Sequence, residues 1–86
     1  MKICVVGLGY VGLPLSISLA DSGYDVIGVE TNTEVMNSLN ASKPHIYEPG
    51  LQEALQKYIG KKFIVTNKIE EAMKESDAVF LTVGTP

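Results

Sequence analysis

Residues 1–14 read Met1-Lys2-Ile3-Cys4-Val5-Val6-Gly7-Leu8-Gly9-Tyr10-Val11-Gly12-Leu13-Pro14, and the order of residue types in this stretch decides the fold. Ile3, Cys4, Val5 and Val6 form a short apolar run rich in β-branched side chains and closed by Gly7, the pattern of a parallel strand buried on both faces. From Tyr10 to Ser22 the pattern becomes helical. Pro14 falls in the first turn, where its missing N–H is not needed, and Gly23 can close the helix. Between strand and helix stands Gly7-Leu8-Gly9-Tyr10-Val11-Gly12, a G-x-G-x-x-G sequence in the strand-to-helix context that gives this motif its meaning. Gly7 permits a tight turn, Gly9 leaves room for a diphosphate against the backbone, and Gly12 lets helix and strand pack closely. Unpaired amides and the positive end of the helix dipole suit an anion there without any basic side chain.

The same stretch opens a run of eighteen uncharged residues from Ile3 to Ala20, which resembles a signal peptide with a small-x-small site at Ser18-Leu19-Ala20. Three glycines and Pro14 interrupt that run, its character switches from strand to helix, and a further apolar strand begins soon after Asp21. A strand, loop and helix of a folded domain is therefore the expectation. The sequon Asn40-Ala41-Ser42 is then a chance match.

Further along, Asp25 to Val29 reads as a second strand, and Thr31 and Glu34 have capping-box spacing for a helix carrying Val35, Met36 and Leu39. Lys43 to Pro49 reads as a loop. Pro49 suits a first helical position, followed by an apolar stripe of Leu51, Leu55, Tyr58 and Ile59 up to Gly60. Phe63 to Thr66 is a third strand, Asn67 and Glu70 are placed to cap a helix bearing Ile69, Ala72 and Met73, and Ala78 to Val83 is a fourth strand. This alternation predicts an α/β fold: a parallel sheet of about four strands in the order 3-2-1-4, joined by right-handed crossovers with helices on both faces. No repeat, low-complexity segment or linker divides the chain.

Eighty-six residues provide one domain, and 45% apolar with 20% charged residues is a globular composition. A net charge of −3 argues against nucleic acid as a partner, because that binding draws on clustered cations. No membrane partner is expected. Cys4, the single cysteine, can form neither an intrachain disulfide nor a CxxC metal pair, which points to a reducing compartment and the cytoplasm. In mid-strand it acts as a small apolar group rather than a nucleophile. His45 has no metal-binding neighbour in sequence and reads as a solvated loop residue; Glu48, before Pro49, reads as a helix-dipole partner.

Glu30 ends the second strand eighteen residues after Gly12, close to the spacing of an acid that binds the adenosine ribose. Its carboxylate would accept bonds from the ribose hydroxyls and repel a 2′-phosphate, favouring NAD over NADP, and no arginine stands nearby to reverse this. Reading the glycines as a bare turn and Glu30 as a solvated acid leaves their joint spacing unexplained. The ending Leu81-Thr82-Val83-Gly84-Thr85-Pro86 sets a hydroxyl at the carboxyl end of the fourth strand, where Thr85 can reach a cofactor; an ordinary strand-ending turn accounts for it equally well.

Taken together, these segments resemble the N-terminal part of the UDP-glucose and GDP-mannose dehydrogenase family, the NAD-dependent nucleotide-sugar 6-dehydrogenases. The resemblance covers the whole chain and rests on Gly7-Leu8-Gly9-Tyr10-Val11-Gly12-Leu13-Pro14, Glu30 with Asn32, Leu39-Asn40, the run from Pro44 to Leu51, and Val83-Gly84-Thr85-Pro86. It implies a partial Rossmann fold in which the backbone of Gly7, Leu8, Gly9, Tyr10, Val11 and Gly12 binds the NAD pyrophosphate and Glu30 holds the ribose. It further implies that Val83, Gly84 and Thr85 border the cofactor. Two departures bear on affinity: the family usually has Asp where Glu30 stands, and some members have a basic residue at the position of Val35. Such enzymes oxidise a sugar C6 alcohol to a carboxylate with two NAD, using a cysteine and a lysine from later parts of the chain. Residues 1–86 are thus expected to be a truncated NAD-binding domain with no catalytic residue or metal ligand of its own and no activity alone. The nucleotide sugar is expected as a partner only of the complete enzyme, and the expected assembly is a homo-oligomer. Two rivals are a non-enzymatic nucleotide-binding or assembly module, motivated by an exposed fourth strand, and an S-adenosylmethionine methyltransferase, which shares the glycine turn but not the series of motifs.

Overall fold

The computed structural model describes residues 1–82 and orders them as β1 (Lys2–Val6), α1 (Gly12–Asp21), β2 (Asp25–Val29), α2 (Thr33–Asn40), α3 (Leu51–Tyr58), β3 (Phe63–Thr66), α4 (Ile69–Glu75) and β4 (Ala78–Leu81). The four strands form one parallel sheet in the order β3-β2-β1-β4. Cys4, at the centre of β1, stands opposite Ile27 of β2 and Val79 of β4. The uncharged run from Ile3 to Ala20 is therefore the central strand and the first helix. No helix among the described residues is long and apolar enough to cross a membrane.

Strand periodicity sorts the core into two layers. Ile3, Val5, Val26, Phe63 and Val65 face one side, where Leu13, Ile17 and Ala20 of α1, Leu39 of α2 and Leu51 and Leu55 of α3 cover them. Cys4, Val6, Ile27 and Val29 face the other side beneath Ala72 of α4. Helices thus lie on both faces, as expected. Gly28 has no side chain for a specific reason: a Cβ there would stand 2.8 Å from the Phe63 ring and 2.9 Å from the Leu8 methyls. The Tyr58 hydroxyl donates to the Asp21 carboxylate and ties the C-terminal ends of α3 and α1 together.

Three helix starts differ from the sequence-based expectation. Asn32, not Thr31, caps α2, with its side-chain oxygen accepting from the Val35 amide at 3.2 Å. Pro49 lies before α3: the Leu51 amide donates to the Glu48 carbonyl, and Gly50 has φ 81° and ψ −7°. Those values describe a type II turn with proline and glycine at its two central positions, so Pro49 makes a corner instead of a first helical turn. At α4, Lys68 occupies the cap position with no side-chain bond, and the Thr66 hydroxyl accepts the Lys68 amide in place of any cap from Asn67. Of the apolar residues assigned to that helix only Ala72 is buried, while Ile69 and Met73 are exposed. The loop between α2 and α3 is pinned by Ile46, which is buried in the core beside an exposed Tyr47.

Candidate functional site

At the carboxyl end of the sheet, β1 passes into the loop from Gly7 to Val11. Gly7 takes φ +92°, a conformation strained for any other residue, and its amide donates to the Val29 carbonyl at 2.9 Å. The Leu8 side chain turns inward and is buried between sheet and helices, so only its backbone remains at the surface. The Leu13 amide already donates to the Gly9 carbonyl, which makes the chain helical in its bonding from Tyr10 onward, although α1 is assigned from Gly12. Among the described residues, the amides of Gly9, Tyr10, Val11 and Gly12 have no hydrogen-bond acceptor. These are the orphan donors of a helix start, clustered where an anion would meet the positive end of the helix. Tyr10 and Val11 extend their side chains into solvent.

Each glycine has a distinct setting. A Cβ on Gly12 would overlap the Gly7 carbonyl oxygen and the Thr82 hydroxyl, whereas one on Gly9 would meet nothing within 4 Å. Gly12 is thus required by close packing of helix on loop, and Gly9 borders open space.

Glu30 follows β2 directly and reaches this loop. Its carboxylate accepts the Leu8 amide at 3.3 Å through one oxygen and the Asn32 amide at 2.9 Å through the other. A carboxylate offers about four lone-pair positions, so two remain for further donors. Glu30, Gly7, Leu8, Gly9, Thr31 and Thr82 line a cleft of about 290 Å3. A larger groove of about 390 Å3 runs along α4 and β3 between Lys2, Lys62, Ile64 and Glu75, and contains none of the glycine-motif residues.

Thr82, next after β4, was not singled out by its residue type; its hydroxyl lies 2.5 Å from the Gly7 carbonyl and 3.0 Å from that of Val6. The available signal was a hydroxyl residue one position beyond an apolar strand at the ligand-binding end of a parallel sheet. Val83, Gly84 and Thr85 lie outside the described residues. His45 and Glu48 are exposed in the loop before α3. Burial pushes the Cys4 thiol up from its ordinary pKa, a hydrogen bond from Ser76 offsetting part of the rise, which agrees with an inert core residue.

A cradle of unpaired amides, an open Gly9 and a carboxylate at its rim fits a dinucleotide, and comparison with known proteins gives the same class. Residues 1–86 match the family described as UDP-glucose/GDP-mannose dehydrogenase family, NAD binding domain. The UDP-N-acetyl-D-mannosamine dehydrogenase of Pyrococcus horikoshii is 40% identical over all of this chain, which covers 21% of that protein. The UDP-glucose 6-dehydrogenase of Pongo abelii is 39% identical over 99% of this chain and 18% of its own length. The ternary-complex crystal structure of GDP-mannose dehydrogenase from Pseudomonas aeruginosa superimposes with a TM-score of 0.91 at 37% identity, over 100% of this chain and 20% of that one. The chain spans between 10 and 21% of the length of such curated relatives. It belongs to the UDP-glucose/GDP-mannose dehydrogenase family and carries that family's NAD binding domain, with NAD as the implied cofactor.

Proposed function

We propose that this chain forms the adenosine and diphosphate half of the NAD site in a nucleotide-sugar 6-dehydrogenase, with residues 1–86 as an N-terminal NAD-binding domain. The observation that carries this reading is the meeting of the Glu30 carboxylate with the Leu8 amide at the mouth of the glycine loop. The free amides from Gly9 to Gly12 hold the diphosphate, and Gly9 lets it approach the backbone. The open lone pairs of Glu30 accept the ribose hydroxyls, and its charge disfavours a 2′-phosphate. Val83, Gly84 and Thr85 border the cofactor. NAD supplies the hydride acceptor for oxidation of the sugar C6 alcohol, carried through two NAD to the carboxylate, on a nucleotide sugar in the complete enzyme. The domain's own share is orientation of the cofactor, while covalent chemistry and the sugar pocket lie in other parts of the polypeptide. Calorimetric titration with NAD, NADP and S-adenosylmethionine tests this: NAD binding more tightly than the other two is the expected result, and no binding of NAD overturns it.

A second reading, an assembly module that works with a partner chain or a second copy, is favoured by β4. Phe80 and Leu81 on that strand are 42% and 69% exposed, and no other strand among the described residues pairs with its outer edge. A sedimentation measurement giving only monomer counts against it.

A further inference from the structure

The peptide unit joining Gly7 to Leu8 is gripped at both ends by the strands that flank β1. Its N–H, on Leu8, donates to Glu30 at 3.3 Å, from the β2 side. Its C=O, on Gly7, faces the Thr82 hydroxyl at 2.5 Å, from the β4 side. The Val6 carbonyl, which accepts the Thr82 amide at 2.9 Å, is also 3.0 Å from that hydroxyl, and the shorter approach makes Gly7 the hydroxyl's principal acceptor. The arrangement matters because Gly7, at φ +92°, is a residue whose adjoining peptide planes rotate at little steric cost. A rotated plane would turn the Gly7 carbonyl, a partial negative charge, toward the place where the neighbouring amides gather to receive an anion.

We propose that Thr82 is a positioning residue for the diphosphate: its hydroxyl holds the Gly7 carbonyl in toward β4, so that the loop presents amides alone to the cofactor. This role rests on the NAD reading above and extends it to a residue that acts through the loop. The opposing grips of Glu30 and Thr82 set the loop before NAD arrives, which spares binding the cost of ordering it. Thr82 also closes over Gly12, whose missing Cβ leaves room for the hydroxyl.

Substitution of Thr82 in the whole chain tests this. Thr82→Val keeps the shape and removes the hydroxyl; Thr82→Ser keeps the hydroxyl. The expected result is that T82V binds NAD and ADP about tenfold more weakly, the size of one lost hydrogen bond to a partly buried carbonyl, while adenosine, which lacks phosphate, binds as before. The Leu8 amide should exchange its hydrogen faster in T82V without ligand, and T82S should restore both readouts. Should the valine variant not fold, Thr82→Ala removes the hydroxyl without adding bulk and carries the same comparison. ADP binding by the variant equal to that of the unsubstituted chain overturns the positioning role alone, as does a serine variant as weak as the valine. An unsubstituted chain that binds neither NAD nor ADP overturns the functional reading together with this role.

Discussion

Gly12 lies so close against Gly7 that a Cβ on it would overlap the Gly7 carbonyl oxygen and stand 2.9 Å from the carbonyl carbon. The contact is backbone on backbone, so no rotamer change relieves it. Gly12→Ala is expected to destabilise the fold by about 2 to 3 kcal/mol, a large share of what a domain of this size has in reserve. Urea unfolding monitored by circular dichroism measures it; an unchanged midpoint would show that helix and loop separate easily.

Gly9 separates binding from folding. A Cβ there meets nothing within 4 Å, and its φ is not among the positive values of the chain. Gly9→Ala should therefore shift stability by no more than about 0.5 kcal/mol. The same methyl would occupy the space assigned to the diphosphate, and NAD affinity should fall at least about tenfold, a loss of roughly 1.4 kcal/mol. Calorimetry showing parental affinity would remove the proposed close approach.

Replacing Glu30 with Gln retains length and shape but removes the charge and substitutes a donor for one acceptor oxygen. NAD binding should weaken by about tenfold, in line with the strength of hydrogen bonds to charged groups. The disadvantage of NADP should shrink, because repulsion of a 2′-phosphate is lost. Parallel titrations with both dinucleotides give the ratio, and a ratio equal to that of the parent contradicts the role assigned to the charge.

The cap of α2 makes a prediction independent of any ligand. Asn32→Ala removes the acceptor of the Val35 amide and should cost about 1 kcal/mol, while Thr31→Ala, at an exposed position with no cap bond, should cost little. Equal losses in thermal unfolding would restore Thr31 as the cap.

Cys4 gives the pH dependence. Burial raises its pKa above that of the unfolded chain, so its contribution to stability is full below the ordinary thiol range and declines as pH rises through and beyond it. Unfolding free energy should drop between neutral and strongly alkaline pH, and Cys4→Ala should lessen that drop. At neutral pH the native thiol should react with a disulfide reagent much more slowly than the denatured one. Fast native reaction would mean that β1 opens readily.

The two inner strands, β1 and β2, were legible because burial on both faces forces unbroken apolar runs. Asp25 to Val29 and Phe63 to Thr66 begin and end as their residue types indicate, and the parallel order follows from helices interposed between strands. Helix starts were less legible. Thr31 and Asn32 are both competent caps, and Pro49 suits a helix start or a turn corner, so local propensity could not choose between them.

What residue order alone determined was the strand, turn and helix around Gly7 to Gly12, the acid at Glu30 and the architecture, because these depend on local sterics and on periodicities of two and 3.6 residues. What the tertiary structure decided was which groups meet. Thr82 is 75 positions from Gly7 along the chain and reaches its carbonyl only because β4 pairs with β1, just as Glu30 reaches Leu8, 22 positions away, only because β2 flanks β1 on the other side. A hydrogen bond between distant residues is set by sheet register, and register is a property of packed layers that no single segment contains.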